Sequence, residues 1–162
     1  MAHVDYFLEI DGVQGESADA KHKNQIELES FSFSEAQSGT FAFGGGGGAG
    51  KVHMQDFNFA MKVSKASAIL ALACSSGQHI KKAVLYARKA GGTQQDFYIV
   101  TMSDLLVSSY QVHGSASGDV VPADSVSLNF AKIEWKYQLQ DEKGNVGNPV
   151  ITGYDLKQNK KL

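Results

Sequence analysis

At 162 residues the chain fits one domain, spanning 1–162, that buries about two thirds of its unfolded surface, and it is short for two. Lys and Arg number 15 against 17 Asp and Glu, a formal net charge of -2, so the chain offers no basic footprint for nucleic acid or an anionic membrane surface. Cys74 is alone, which excludes an intramolecular disulfide and a multi-cysteine zinc site and fits a small buried thiol in a chain made in a reducing compartment.

The opening residues MAHVDYFLEI carry Asp5 and Glu9 and lack the apolar core of a secretory signal. Val4, Tyr6, Leu8 and Ile10 alternate there with His3, Asp5, Phe7 and Glu9, which predicts a half-buried strand ending in the turn residues Asp11 and Gly12. Residues 14–24 keep no period of either kind and predict a surface loop without chemistry. Ile26 and Leu28 then place apolar residues on even positions, whereas Phe31 and Phe33 place them on odd ones, so a bulge near Ser30 or a two-sided strand is required. The phase breaks again between Val52 or Met54 and Phe57 or Phe59, and between Phe130 and Ile133 across Ala131 and Lys132. Bulged and coiled strands of this kind curl a sheet toward a barrel.

Between Ser64 and Gly77 the period becomes helical, with Ala66, Ile69, Leu70 and Ala73 on one face, Ser64 as cap and Gly77 beyond the end. The apolar patch 66–74 within it is edged with Ser and Lys and falls far short of the about twenty apolar residues of a membrane span. Strands follow at 83–88, 97–102, 105–112 and 125–139, with a turn at Gly91 and Gly92. Pro122 and Pro149 fall at loops or strand edges, as their missing N–H requires. The sum is antiparallel β with one helix packed on it.

The run GGGGGAGKV nearly spells a phosphate-binding loop, since Gly45, Gly50 and Lys51 satisfy its spacing. Val52 stands where the magnesium-ligating hydroxyl belongs, and Phe57, Phe59 and Met61 behind it have strand rather than helix period. Neither the metal site nor the helix N-terminus of a nucleotide cradle is encoded. His3, His22, His53, His79 and His113 show no helical or strand pairing for a metal. Cys74, Ser75, Ser76 and His79 cluster at a helix C-terminus, which disfavours a thiolate. In 114–118 Ala116 replaces the serine of a nucleophile elbow. Glu27 and Glu29 share one strand face and read as solvated surface in preference to an acid–base pair. No enzyme chemistry stands out. Ser30, Ser32 and Ser34 alternate with Phe31 and Phe33: the aromatics must enter a core, and the hydroxyls on the reverse face make a weakly charged surface able to contact ligands loosely.

Segments along the whole chain resemble the haemolysin-coregulated protein family, the inner tube of bacterial type VI secretion systems. They are DGVQGES at 11–17, SGTFAFGGGGGAGKV at 38–52, QDFNF at 55–59, ACSSGQHI at 73–80, ARKAGG at 87–92, LLVSSY at 105–110, VSLNFAKIEWKY at 126–137 and GYDLKQNKK at 153–161. The resemblance implies a mainly β fold, a tight antiparallel β-barrel of two sheets with one flanking α-helix and an extended glycine-rich loop. It implies a homo-hexameric ring with an open lumen, stacking into a tube that a contractile sheath on a baseplate propels. A valine-glycine-repeat spike protein sits at the tip and small effector proteins ride in the lumen. Such a chain is made in the bacterial cytoplasm without a cleavable signal peptide and exported by the secretion system, with no cofactor, no nucleic acid and no membrane insertion. By the same resemblance the ring-stacking loop is Ser38, Gly39, Thr40, Phe41, Ala42, Phe43, Gly44, Gly45, Gly46, Gly47, Gly48, Ala49, Gly50 and Lys51. Ser30, Ser32 and Ser34 are placed on the lumen wall, and no fused effector domain is expected beyond Leu162. The alternatives are a P-loop-like nucleotide binder, a cargo-free tube protein of the family, and a phage-like tail-tube protein.

Overall fold

The computed structural model describes residues 4–39, 50–89, 94–118, 120–141, 143 and 145–162. Their strands are β1 Val4–Ile10, β2 Ile26–Leu28, β3 Ser30–Ser32, β4 Glu35–Ala36, β5 His53–Met54, β6 Phe57–Lys62, β7 Ile80–Lys89, β8 Asp96–His113, β9 Ala123–Tyr137, β10 Val150–Asp155 and β11 Lys160–Lys161, with helix α1 at Lys65–Ser76. Nine strands share one antiparallel sheet ordered β11-β10-β9-β8-β7-β1-β2, with β3 on β6 and β6 on β9, while β4 and β5 form a separate ribbon. The two ranges expected as separate strands at 97–102 and 105–112 are one strand, β8, and β10 and β11 were not foreseen. The turn at Gly91 and Gly92 lies outside the described residues.

The phase break near Ser30 is a change of partner. The chain bends at Glu29, so that β2 pairs with β1 while β3 pairs with β6, and the Glu29 N–H donates to the Ala60 carbonyl at 2.8 Å. The sheet therefore curls like a barrel without closing: its ends are joined by this bend, with no ladder between β2 and β3. The break at Gln55 and Asp56 separates β5 from β6. At Ala131 and Lys132, by contrast, β9 keeps an unbroken register with β8, and the irregularity lies in β8 between Val107 and Ser109. The inward parity still turns over there, and it does so on three neighbouring strands at once. Lys81 and Lys82 interrupt buried Ile80 and Ala83, Ser103 and Asp104 interrupt Met102 and Leu105, and on β9 buried Phe130 is followed directly by buried Ala131 and then by Ile133. Asp104 takes a left-handed φ of 52° in that row. The sheet is coiled there, with its ladders intact.

Helix α1 has the foreseen caps. Ala66 N–H donates to Ser64 Oγ at 3.2 Å and Ser64 N–H to Ser67 Oγ at 3.0 Å, satisfying two of the unpaired donors of the first turn. Gly77 ends the helix at φ 63°, a conformation that costs a β-carbon-bearing residue about 1 kcal/mol or more. Its buried face is Ala66, Ser67, Leu70 and Ala73, whereas Ile69 is 41% exposed. Ser67 takes the place expected for Ile69 because its hydroxyl meets the fully buried Asp124 carboxylate at 2.5 Å, and Tyr110 donates to the other oxygen at 2.9 Å. Leu8, Leu70, Leu85, Met102, Leu105, Leu128 and Ile133 form the solvent-free centre of the core.

Candidate functional site

Four strands build one polar outer surface because each alternates a large apolar residue with a small polar one. Register aligns Ser32 with Asn58, Asn58 with Ser127 and Ser127 with Ser109, and in the next row Ser30, Ala60, Ser125 and Gln111. Paired residues of neighbouring strands point to the same side. Ser127 Oγ donates to Asn58 Oδ1 at 2.5 Å, Ser108 Oγ to Asp56 Oδ2 at 2.6 Å and Asn129 Nδ2 to Asp56 Oδ1 at 2.8 Å. The surface is thus a lattice of hydroxyl and amide groups joined by hydrogen bonds to one another and to the Asp56 carboxylate. Beneath it Phe31 stacks on Phe57 with centroids 5.8 Å apart and meets Tyr6 edge-on at 5.0 Å, while Phe33 lies 5.9 Å from Phe130. Those contacts fix the direction of the intervening serines.

Ser30 and Ser32 are exposed on β3, and Ser34 is exposed just beyond it, where its carbonyl accepts the Gln55 N–H at 2.9 Å. The sequence reading found these three and missed Asp56, Asn58, Ser108, Ser125, Ser127 and Asn129. The signal was available in β6 and β9, where Asn58, Ser125, Ser127 and Asn129 alternate with buried Phe57, Phe59, Val126, Leu128 and Phe130. Of the proposed stacking loop, Ser38, Gly39 and Lys51 are exposed and Gly50 is half-buried. A β-carbon on Gly50 would meet Ser38 Oγ, so the base of the loop is drawn together. Residues 40–49 of the same loop lie outside the described residues. Glu27 lies on β2 and Glu29 at the bend, both exposed. His79 Nε2 contacts Asp104 at 3.2 Å, Ser75 caps back to the Ala71 carbonyl at 3.0 Å, and Ser115 meets Ser117 at 3.2 Å in an exposed loop.

The loop at 14–24, expected to be surface without chemistry, instead covers a buried polar cluster on the far face of β1 and β7. Phe7, expected outward, is 2% exposed, and His22 is 3% exposed. Their rings stack 4.5 Å apart, and His22 also contacts Gln25 at 3.0 Å and Asp96 at 2.9 Å. Arg88 clamps Asp19 with two bonds of 2.8 and 2.6 Å, reaches Asp5 at 3.4 Å and lies over Phe7 at 4.9 Å. Those bonds hold the Asp19 carboxyl far below the usual carboxylate range against the opposing effect of burial, with the N–H groups of Lys21 and His22 helping. Asp19 in turn raises the guanidinium further. Among the described residues Arg88 Nε has no hydrogen-bond partner.

A family profile described as type VI secretion system effector, Hcp, matches residues 7–137. The chain is 46% identical over 158 residues to protein Hcp1 of Pseudomonas aeruginosa, covering 96% of this chain and 97% of that one. A solved type six secretion system protein superposes with a TM-score of 0.94 at 30% identity, over 99% of this chain and all (100%) of that one. Hcp1 from Salmonella typhimurium does so with a TM-score of 0.81 at 33% identity, covering 100% of both chains.

Proposed function

Because the chain belongs to the Hcp family of type VI secretion and is a tube protein of that system, we propose that six copies close into a ring whose lumen wall is the polar surface of β3, β6, β9 and β8. One observation carries this reading. That surface ends on both sides in unpaired strand edges: β3 pairs only with β6, and β8 beyond Leu105 pairs only with β9 among the described residues. A sheet with two open edges is satisfied by head-to-tail neighbours, and a head-to-tail contact that closes makes a ring.

Ser30, Ser32 and Ser34 then face the lumen and contact small effector proteins. A lattice of hydroxyls and amides, with the Asp56 carboxylate engaged by Ser108 and Asn129, suits passage, because it binds many surfaces weakly and holds none. The loop at 38–51 makes the ring-to-ring contact, and stacked rings form a tube driven by the sheath and baseplate behind a valine-glycine-repeat spike. The chain acts as one domain over 1–162 without catalysing a reaction, and it leaves the bacterial cytoplasm through the secretion machine. Among the described residues no helix is long and apolar enough to cross a membrane. The nucleotide-binding alternative is not favoured, since strand β5 and then β6 follow Lys51 where a helix would be needed.

The test is Ser32→Gln. Rings of wild-type mass in electron micrographs, with reduced co-purification of a luminal effector, are expected. Loss of the ring would show that Ser32 belongs to a subunit contact and that the lumen was assigned to the wrong face.

A further inference from the structure

We infer that His22 is a pH-sensitive latch: its protonated ring pins the limb at 20–25 to β1 and β8, and its neutral ring lets that limb open. The latch is internal to one copy and stands whether or not copies associate. Both ring nitrogens meet oxygen atoms, with Nε2 2.9 Å from Asp96 Oδ1 and Nδ1 3.0 Å from Gln25 Oε1. The orientation of the Gln25 amide is fixed from its other end, where Nε2 donates to Glu9 Oε2 at 3.1 Å. Two acceptors need two N–H donors, and only the imidazolium has them. A neutral ring keeps one, so a lone pair then faces either Asp96 or Gln25. Turning the Gln25 amide round would mend its contact with Nδ1, but it would set the amide oxygen against the Glu9 carboxylate. The proton on His22 thus sets the polarity of a chain of bonds running from β8 through the end of the loop to β1.

The surroundings suit the charged ring. His22 is 3% exposed, and a cation so deeply buried is tolerated only where it is paired. Asp96 supplies the counter-charge, while Phe7 stacks on the ring at 4.5 Å and Tyr86 tilts against it at 4.8 Å, aromatic faces that favour a cation. The other charged or titratable groups around it are Asp5 and Glu9 on β1, Arg88 on β7, and Asp19, Lys21 and Lys23 on the loop. Arg88 is engaged by Asp19 and Asp5, Lys21 donates to the Gln94 carbonyl at 2.9 Å and Lys23 is exposed. Asp19 stays ionised because Arg88 holds it far below the carboxylate range, and burial pushes the Tyr86 hydroxyl up, with Glu9 and Asp96 adding to the effect. Histidine is the side chain of this set that ordinarily changes charge between about pH 5 and 8. The protonated ring makes one more bond in the folded chain than the neutral ring, so its contribution is complete below about pH 6.5, the ordinary histidine value, and is lost as pH rises beyond it. Asp19 and Arg88 keep their bond throughout, so the opening is confined to the limb beyond Asp19.

Hydrogen exchange of the full chain at one protein concentration, corrected for the intrinsic pH dependence of exchange, tests this. The readouts are the Asn24 and Gln25 amides, which donate to the Ser17 and His22 carbonyls, with β9 amides as reference. Protection at both should be about ten-fold lower at about pH 8 than at about pH 5.5, the loss of one charge-assisted hydrogen bond, while β9 stays constant. Asp96→Asn, whose amide can serve a neutral ring, should abolish that pH dependence, and Glu9→Gln, which frees the Gln25 amide to turn, should reduce it. A merely structural role would lower protection equally at both pH values. Proton–nitrogen correlations of the His22 ring in the wild-type chain need no variant and should show both nitrogens protonated at about pH 5.5. Protection that does not change with pH in wild type, a pH dependence that survives in Asp96→Asn, or a ring carrying a single proton at about pH 5.5 would each overturn the latch. If Asp96→Asn fails to fold, the wild-type ring and Glu9→Gln decide.

Discussion

Replacing Asp19 by alanine should release the loop at 14–24 from the sheet. Arg88 has a side chain only 4% exposed, and Asp19, at 19%, supplies both of its short hydrogen bonds. Deletion leaves a buried guanidinium with Asp5 at 3.4 Å and an Nε that already lacks a hydrogen-bond partner among the described residues. Breaking a buried ion pair from one side costs about 3 to 5 kcal/mol, and the partial exposure of Asp19 puts this case at the lower end, about 3 kcal/mol. For a domain of this size that is a fall of about 6 to 12 °C in melting temperature. Urea and thermal unfolding at one fixed protein concentration would measure it, since assembly itself shifts apparent stability. The pH dependence has a definite sign. Asp19 is ionised in the folded state well below its ordinary range, so its contribution is complete above about pH 4, the unfolded carboxylate value, and fades as pH falls further. Asp19→Ala should therefore lose most of its deficit relative to wild type in acid. Arg88→Met removes the stranded charge, so the double variant should recover about 2 kcal/mol relative to the sum of the single losses. Strict additivity of Asp19→Ala and Arg88→Met would refute the reasoning, because it would mean that the pair does not act as a unit.

Ser67→Ala should cost about 1 to 3 kcal/mol, because it strands one oxygen of buried Asp124 and removes half of the capping box of α1. Tyr110→Phe should cost a similar amount less than additively with it, as both serve the same carboxylate. Gly15→Ala should destabilise the loop more than the core: a β-carbon there would run into the Gln25 carbonyl and the Ile26 N, and faster amide exchange at Ser17 and Asn24, whose N–H groups bond across that loop, is the expected readout.

Local chemistry made much of this fold legible along the chain. Ser64 and Gly77 bracket a helix wherever it packs, because capping needs only neighbouring backbone groups. Ser30 and Ser32 had to oppose Phe31 because a strand alternates its faces. The parity breaks at Ser30 and at Gln55 and Asp56 announced changes of strand for the same reason, whereas the one at Ala131 left the β9 register unbroken, and the collinear motifs announced the family. The partners came from the tertiary structure alone. The bend at Glu29 is visible as a phase change, but that β2 turns to β1 while β3 turns to β6 depends on strands far along the chain. Ser67 displaced Ile69 from the buried face because Asp124, distant in sequence, needed a donor. The loop at 14–24 read as polar surface because Asp19 and His22 are polar, and only the arrival of Arg88 from β7 and Asp96 from β8 made their burial favourable. Periodicity belongs to one strand at a time, whereas the serine and amide lattice exists only where β3, β6, β9 and β8 come into register, and so the residues were readable singly and the surface they make was not.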